Sequence, residues 1–365
     1  MNQEYLLTTM DADQWRRDLP ADICVMGSLE YARITERQTG FAGRLFVWKT
    51  GDSVIAYPFF IRPVKCLPFV KGGTEARWDI FTPEYTGPLS TGAVEPNEDD
   101  QKSFVERFGR FCRKNGILAE FAHLNPWHHA QDLLDPAGIV NNREIVYVDL
   151  NLEEDDLWTK SLNSDTRRMT RQAEKAGVQI RRAETLEDVK AFYHLHSATM
   201  DRRNALDRYR LPLEYFADFH HSMPDNAFFV LAEYQDQVVA GGLFFQGGQE
   251  LYWHLSAANM EFSRVRPVDK YVWETIRWAA RSGKQRMLLG GGYKKNDGVF
   301  RFKAGFSPLR AEFCTYRKVH DEQAYKTLSR AWSAYYQADL SEADFFPAYR
   351  SPIRGLQPSC EMASG

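Results

Sequence analysis

Three groups of residues in this chain could do chemistry that a folded core alone does not require. The first is DGVFRFKAGF at 297–306, directly after the glycines 290–292. Read as a strand, this run sends Phe300, Phe302 and Ala304 to one face and Arg301, Lys303 and Gly305 to the other. Lys303 is then a single ammonium beside a glycine-rich turn, an arrangement that stabilises a developing oxyanion or a phosphate. Phe302 offers a ring on which a base could stack. Tyr293 and Asp297 lie in the intervening turn, where Asp-Gly is a common turn pair. His254, in LYWHLS, reads either as a proton shuttle for this site or as a satisfied core histidine.

The second group lies in LWTKSLNSDTRRMTRQAEKAG, where Arg167, Arg168, Arg171 and Lys175 fall within a few helical turns. Arg167, Arg171 and Lys175 share a face at i,i+4 spacing, so they could hold a polyphosphate or a nucleic-acid backbone. The alternative is a solvated face partly neutralised by Asp165 and Glu174. The third group is the turn EFSRVRPVDKY. It places Arg264, Arg266 and Pro267 in the first turn of a helix that runs on through VDKYVWETIRWAARSG. A helix N-terminus with nearby cations is a natural anion site.

The elements that must position these residues are mixed. With 365 residues, two domains are expected. A hydrophobic content of 44% describes a well-packed globular chain, and a net charge of −3 gives no bulk attraction to nucleic acid, so any such site is a local patch. The first half reads as the helix SLEYARITERQTG, the hairpin GRLFVWKTGDSVIAYPFFIRPV, a loop from Lys71 to Gly87, the amphipathic helix QKSFVERFGRFCRKNG and the strands ILAEFAHL and EIVYVDLNL. The second half repeats the plan. Helices from Leu157 to Gly177, Thr185 to Asn204 and Leu213 to Met223 precede three antiparallel strands turning at Gln235-Asp236 and Gly247-Gly248. The unit 251–306, the strand AEFCTYRKV and a helix from about Glu322 to Gln337 follow. The five cysteines form no CxxC pair, and the histidines lack carboxylates at metal-ligand spacing, so reduced thiols and no metal site are expected. No signal peptide or membrane span is visible, which predicts a cytoplasmic protein.

The order strand, basic turn, helix, strand, glycine turn resembles the core of the GNAT acyltransferase superfamily. More specifically, GSLEYARITERQTG, SDTRRMTRQAEKAGV and ARSGKQRMLLGGG with DGVFRFKAGF resemble motifs of the Fem family of peptidoglycan-bridge aminoacyltransferases and their FemAB-like relatives. The resemblance covers most of 20–320, and the closing Phe-Lys motif is its most specific part. It implies an α/β (α+β) fold of tandem GNAT-like domains, each a mixed, mostly antiparallel sheet flanked by helices. The expected boundaries are 1–152, a catalytic domain at 153–319, a helix at 320–350 returning to the first domain, and a loose tail at 351–365.

The resemblance also implies roles. Phe302 and Lys303 contact the donor end, with Lys303 stabilising the transition state of aminoacyl transfer. Arg33 and one of Arg167, Arg168 or Arg171 hold phosphates of a nucleotide-linked acceptor. The expected reaction is N-acyl transfer from aminoacyl-tRNA, the tRNA being the partner, to a small-molecule, peptide or nucleotide-linked amine, with no tightly bound cofactor. Acyl-CoA is the alternative donor, with Arg264 and Arg266 as its phosphate ligands. Ordinary acyl-CoA-dependent relatives close glycine N–H groups on the CoA pyrophosphate at this turn, and EFSRVRPVDKY has no glycine. A non-catalytic binding protein on the same scaffold is the third reading.

Overall fold

The computed structural model describes residues 3–70, 77–292, 296–340 and 345–352. The chain divides into two compact units, one of Met1–Pro20, Met26–Asn142 and Phe313–Gly365, the other of Ala21–Val25 and Arg143–Glu312. Each has a mixed, mostly antiparallel sheet flanked by helices.

In the first unit the strands Gln3–Thr8, Ala42–Thr50, Ser53–Pro63 and Trp78–Phe81 form an antiparallel meander. The helix Glu98–Lys114 then crosses over to Ile117–His123, which pairs parallel to Trp78–Phe81. Arg310–Val319 closes the set antiparallel to Ile117–His123. The helix start is set by Asn97, whose side chain accepts from the N–H groups of Asp99 and Asp100 in a capping box. Phe104, Phe108 and Cys112 form its buried stripe and pack on Phe46, Tyr57 and Phe59. The C-terminal helix Glu322–Tyr336 packs through Trp332 against Val64, Leu67, Phe69 and Leu118 of this unit.

The second unit repeats the plan. Gln179–Arg182, Ala227–Tyr234, Gln237–Gly247 and Glu250–Ala258 form the meander. The helix Pro267–Arg281 crosses over to Arg286–Gly290, parallel to Glu250–Ala258, and Ile139–Asp149 closes the set antiparallel. Gln235 and Asp236 both have positive φ, as a two-residue hairpin turn requires. Thr185 and Asp188 form the capping box of the helix Leu186–Arg202. The closing strand of each unit thus comes from chain that follows the other unit. The border therefore falls at 142/143, ahead of the 152/153 read from the sequence, because Ile139–Asp149 pairs with Arg286–Gly290.

Several elements differ from the sequence reading. The loop expected at 71–87 contains the strand Trp78–Phe81. The continuous helix expected over 157–177 is a wide turn at Leu157–Ser161, a break, and then the helix Ser164–Ala176 capped by Asn163. The strand expected at 298–306 is the helix Gly298–Ala304. Its apolar and basic residues alternate, which mimics a strand. Asp297 decides the outcome by accepting from the Phe300 N–H at 2.8 Å, a helix N-cap where the sequence reading placed a turn residue. Among the described residues no helix is long and apolar enough to cross a membrane.

Candidate functional site

In the second unit, two parallel strands part beside the candidate site. Ladder pairing between Glu250–Ala258 and Arg286–Gly290 covers Glu250↔Arg286, Leu251↔Met287 and Tyr252↔Leu288 and then stops. On its other edge the second strand stays paired with Ile139–Asp149, through a bulge between Leu288 and Gly290. Gly290 has φ of 80°, a conformation that favours glycine.

Lys303 meets the end of that strand. Its ammonium donates to the Gly291 carbonyl at 2.9 Å and stands 5.7 Å from the centroid of the Trp253 ring. Phe302 packs edge-on to Trp253 at 6.4 Å and to Phe306 at 5.4 Å. Two glycines hold the short helix in place. A Cβ on Gly292 would lie 2.1 Å from Asp297 Oδ1, and one on Gly305 would lie 2.3 Å from Thr166 Oγ1. Gly305 also accepts from the Asn163 N–H at 2.9 Å, while the Asn163 side chain caps Thr166 at 2.8 Å. The Lys303 helix and the N-terminus of the basic helix are thereby locked to one another.

The basic helix does not present an aligned row of cations. Arg167 turns back to donate to the carbonyls of Trp158, Thr159 and Leu162, where the wide turn leaves acceptors open. Arg168 pairs with Asp165 at 3.0 Å in solvent. Arg171 stacks on Trp158, 5.2 Å from its ring centroid. The structure therefore gives these arginines separate partners: Arg167 closes the preceding turn, and Arg171 presents its charge on an aromatic face. In the first unit, Arg33 donates through Nε and Nη2 to the Thr9 carbonyl at 3.2 and 2.8 Å. Tyr293 lies outside the described residues.

His254 lies on the opposite face of its strand from Trp253. Trp253 faces Lys303, Phe302 and Tyr271, whereas the next residue along the strand points to the other side. There His254 lies 4.6 Å from the Phe245 ring, with Nε2 3.3 Å from the Tyr215 hydroxyl. It is therefore not beside Lys303. Burial, and secondarily His254, pushes the neighbouring His196 imidazole down to about 4.

The residues that sequence reasoning missed are Trp253, Ser256, Asp269 and Tyr271. Tyr271 is fully buried, and its hydroxyl lies 2.6 Å from Ser256 Oγ. Asp269 sits in the first turn of Pro267–Arg281, 8% exposed. Burial raises its carboxyl to about 6, against the pull of Arg266 and of its own backbone N–H.

Residues 160–304 match the family of the acetyltransferase (GNAT) domain. The match runs from just before the helix Ser164–Ala176 through the Lys303 helix. The fold is similar to that of FemX, at TM-score 0.67 and 13% identity, covering 89% of this chain and 99% of that one. A conserved protein of unknown function from Bacteroides thetaiotaomicron is also similar, at TM-score 0.55 and 10% identity over 87% of this chain and 100% of that one. So is the C-terminal domain of a candidate lysylphosphatidylglycerol synthetase from Agrobacterium fabrum, at TM-score 0.53 and 14% identity over 87% and 92%. No curated protein matches the chain in sequence.

Within the matched segment, the helix N-terminus after the splayed strand is already supplied with an anion. Pro267 stands at the first position with no N–H to offer, and the Asp269 carboxylate accepts from its own N–H. Arg266, in a left-handed conformation, faces that carboxylate electrostatically, and its Nε is buried without a hydrogen-bond partner. Arg264 is exposed, and its carbonyl accepts from Gln172 Nε2 at 2.7 Å.

Proposed function

We propose that the chain is an N-acyltransferase that takes an aminoacyl group from tRNA and places it on an amine, with Lys303 stabilising the transition state. The observation that carries this reading is the placement of the Lys303 ammonium at Gly291 O, beside Trp253, where the two parallel strands separate. The acceptor amine attacks the ester carbonyl carbon, a C–N bond forms, and the carbonyl oxygen becomes an oxyanion. Lys303 exchanges its bond to Gly291 for one to that oxygen. Collapse breaks the C–O bond to the tRNA ribose, and the proton lost by the amine ends on the departing ribose oxygen. Phe302, half-buried against Trp253, presents the ring on which the terminal base stacks. Holding donor and acceptor together supplies much of the rate.

The choice of donor rests on the turn Met260–Val265 and the helix behind it. CoA binding would bring a pyrophosphate to a helix end with no glycine, no N–H at Pro267 and a buried carboxylate at Asp269. These features oppose a second anion. The acyl-CoA reading keeps one observation of its own, the partnerless buried Nε of Arg266.

Thermal-shift and binding titrations with charged tRNAs, CoA and acetyl-CoA separate the two donors. Charged tRNA should raise the unfolding temperature and bind more weakly as salt increases, while CoA has no effect. A CoA shift without tRNA binding would move the chain to the acyl-CoA reading and make Arg264 and Arg266 the pyrophosphate ligands.

A further inference from the structure

The first unit holds a polar cluster that the acyl-transfer reading does not use. Cys112, from the inner stripe of Glu98–Lys114, Glu120, from Ile117–His123, and His320, just past Arg310–Val319, offer a sulfur, a carboxylate oxygen and an imidazole nitrogen within 4.8 Å of one another. All three side chains are shielded from solvent: Cys112 is fully buried, Glu120 is 2% exposed and the His320 side chain 4%. Their positions are fixed by separate elements. His320 N–H donates to the Leu118 carbonyl at 2.8 Å, and Tyr57, from Ser53–Pro63, donates its hydroxyl to Glu120 Oε1 at 2.8 Å. His320 Nε2 lies 2.9 Å from Glu120 Oε2.

A cavity of about 210 Å³ opens against Glu120 and His320 and is walled by Phe104, Leu133 and Tyr316. A lysine and an arginine also line it: Lys318 is held by Asp135, and Arg113, next to Cys112 in the helix, is itself exposed.

We propose that Cys112, Glu120 and His320 bind one divalent transition-metal ion of the zinc class, with the cavity supplying a fourth, exchangeable ligand. A thiolate, an imidazole and a carboxylate together match the ligand preferences of Zn²⁺ rather than those of Mg²⁺ or Ca²⁺. Three protein ligands with one open side is the pattern of sites that admit water or a small ligand. The Tyr57 hydroxyl acts as the outer partner that orients the carboxylate. The ligands come from places far apart in the sequence, so no local spacing motif announces them. The site does not depend on the acyl-transfer reading.

The test is zinc itself, added to the purified full chain after chelation. One equivalent should stay bound through gel filtration and raise the unfolding temperature. Cobalt in its place should give a thiolate-to-metal charge-transfer band that is absent from Cys112→Ser. Tyr57→Phe keeps every ligand and loses the bond to Glu120, so zinc binding should weaken about tenfold or more. A failure of wild-type protein to retain zinc, a cobalt spectrum without a thiolate band, or undiminished zinc binding by Cys112→Ser would each overturn the proposal. Should Cys112→Ser not fold, the wild-type cobalt spectrum and Tyr57→Phe decide it.

Discussion

At the scale of single residues, the role proposed for Lys303 predicts that Lys303→Ala lowers the transfer rate about 10²- to 10³-fold, the range for losing one oxyanion donor. Its folding should be intact, because Lys303 is part-exposed and its ammonium is bonded to a carbonyl of the site rather than to the core. His254→Gln, by contrast, should leave the pH dependence of transfer unchanged, since His254 faces Tyr215 across the sheet from Lys303. A profile that loses a limb in His254→Gln would return that residue to the mechanism. Two buried groups contribute to stability against pH with opposite signs. His196 titrates near 4 when folded and near 6.5 when unfolded. Its contribution is therefore present above pH 6.5 and is lost as pH falls toward 4. Asp269 works the other way. Its folded value near 6 exceeds the ordinary 3.8, so its contribution is present below 3.8 and lost as pH rises through 6. Asp269→Asn should stabilise the protein at pH 7, on the order of 2 kcal/mol, and give no gain at pH 3.5. Thermal melts of the variant and wild type at both pH values check this.

At the scale of elements, the site depends on how closely two helices approach. Gly305 has an ordinary helical φ of −67°, so its requirement is one of space: a methyl group there would lie 2.3 Å from Thr166 Oγ1. Gly305→Ala should cost about 1–3 kcal/mol by overpacking and should lower transfer by displacing Lys303. Thr166→Ala removes the clashing oxygen, so the double variant should recover part of both losses. A double-mutant cycle of melts and rates measures that coupling, and strict additivity would contradict the contact. This scale also shows where sequence reading succeeds. The hairpin turn at Gln235-Asp236 and the Thr185–Asp188 capping box are local devices, legible from a few adjacent residues. The Lys303 helix was not legible as a helix, because Phe300, Arg301, Phe302 and Lys303 alternate with a strand's period and only the Asp297 cap breaks the tie. Trp253 and His254 are neighbours in one strand, and nothing in the sequence says which of them faces the lysine.

At the scale of the whole molecule, the two units repeat one plan of meander, crossover helix and parallel strand. The exchange of closing strands was hidden from the sequence, since Ile139–Asp149 and Arg310–Val319 read as ordinary strands whose partners lie far along the chain. The fold family was legible through the Phe302-Lys303 motif. The separate engagements of the arginines were not, because helical spacing alone cannot show that Arg167 closes the Leu157–Ser161 turn. With a net charge of −3, binding of tRNA must come from local cations, so affinity should fall on a log–log plot against salt with the slope of only a few phosphate contacts. A slope near zero would contradict a tRNA donor.

The most direct test of the central claim is single-turnover transfer of a labelled aminoacyl group from charged tRNA to a panel of amines, comparing wild type with Lys303→Ala and running acetyl-CoA in parallel. The account predicts a new amide formed from the tRNA donor by wild type, a rate reduced at least about 10²-fold in Lys303→Ala, and no product from acetyl-CoA. Equal transfer by both proteins, or no transfer from charged tRNA to any amine, would contradict it.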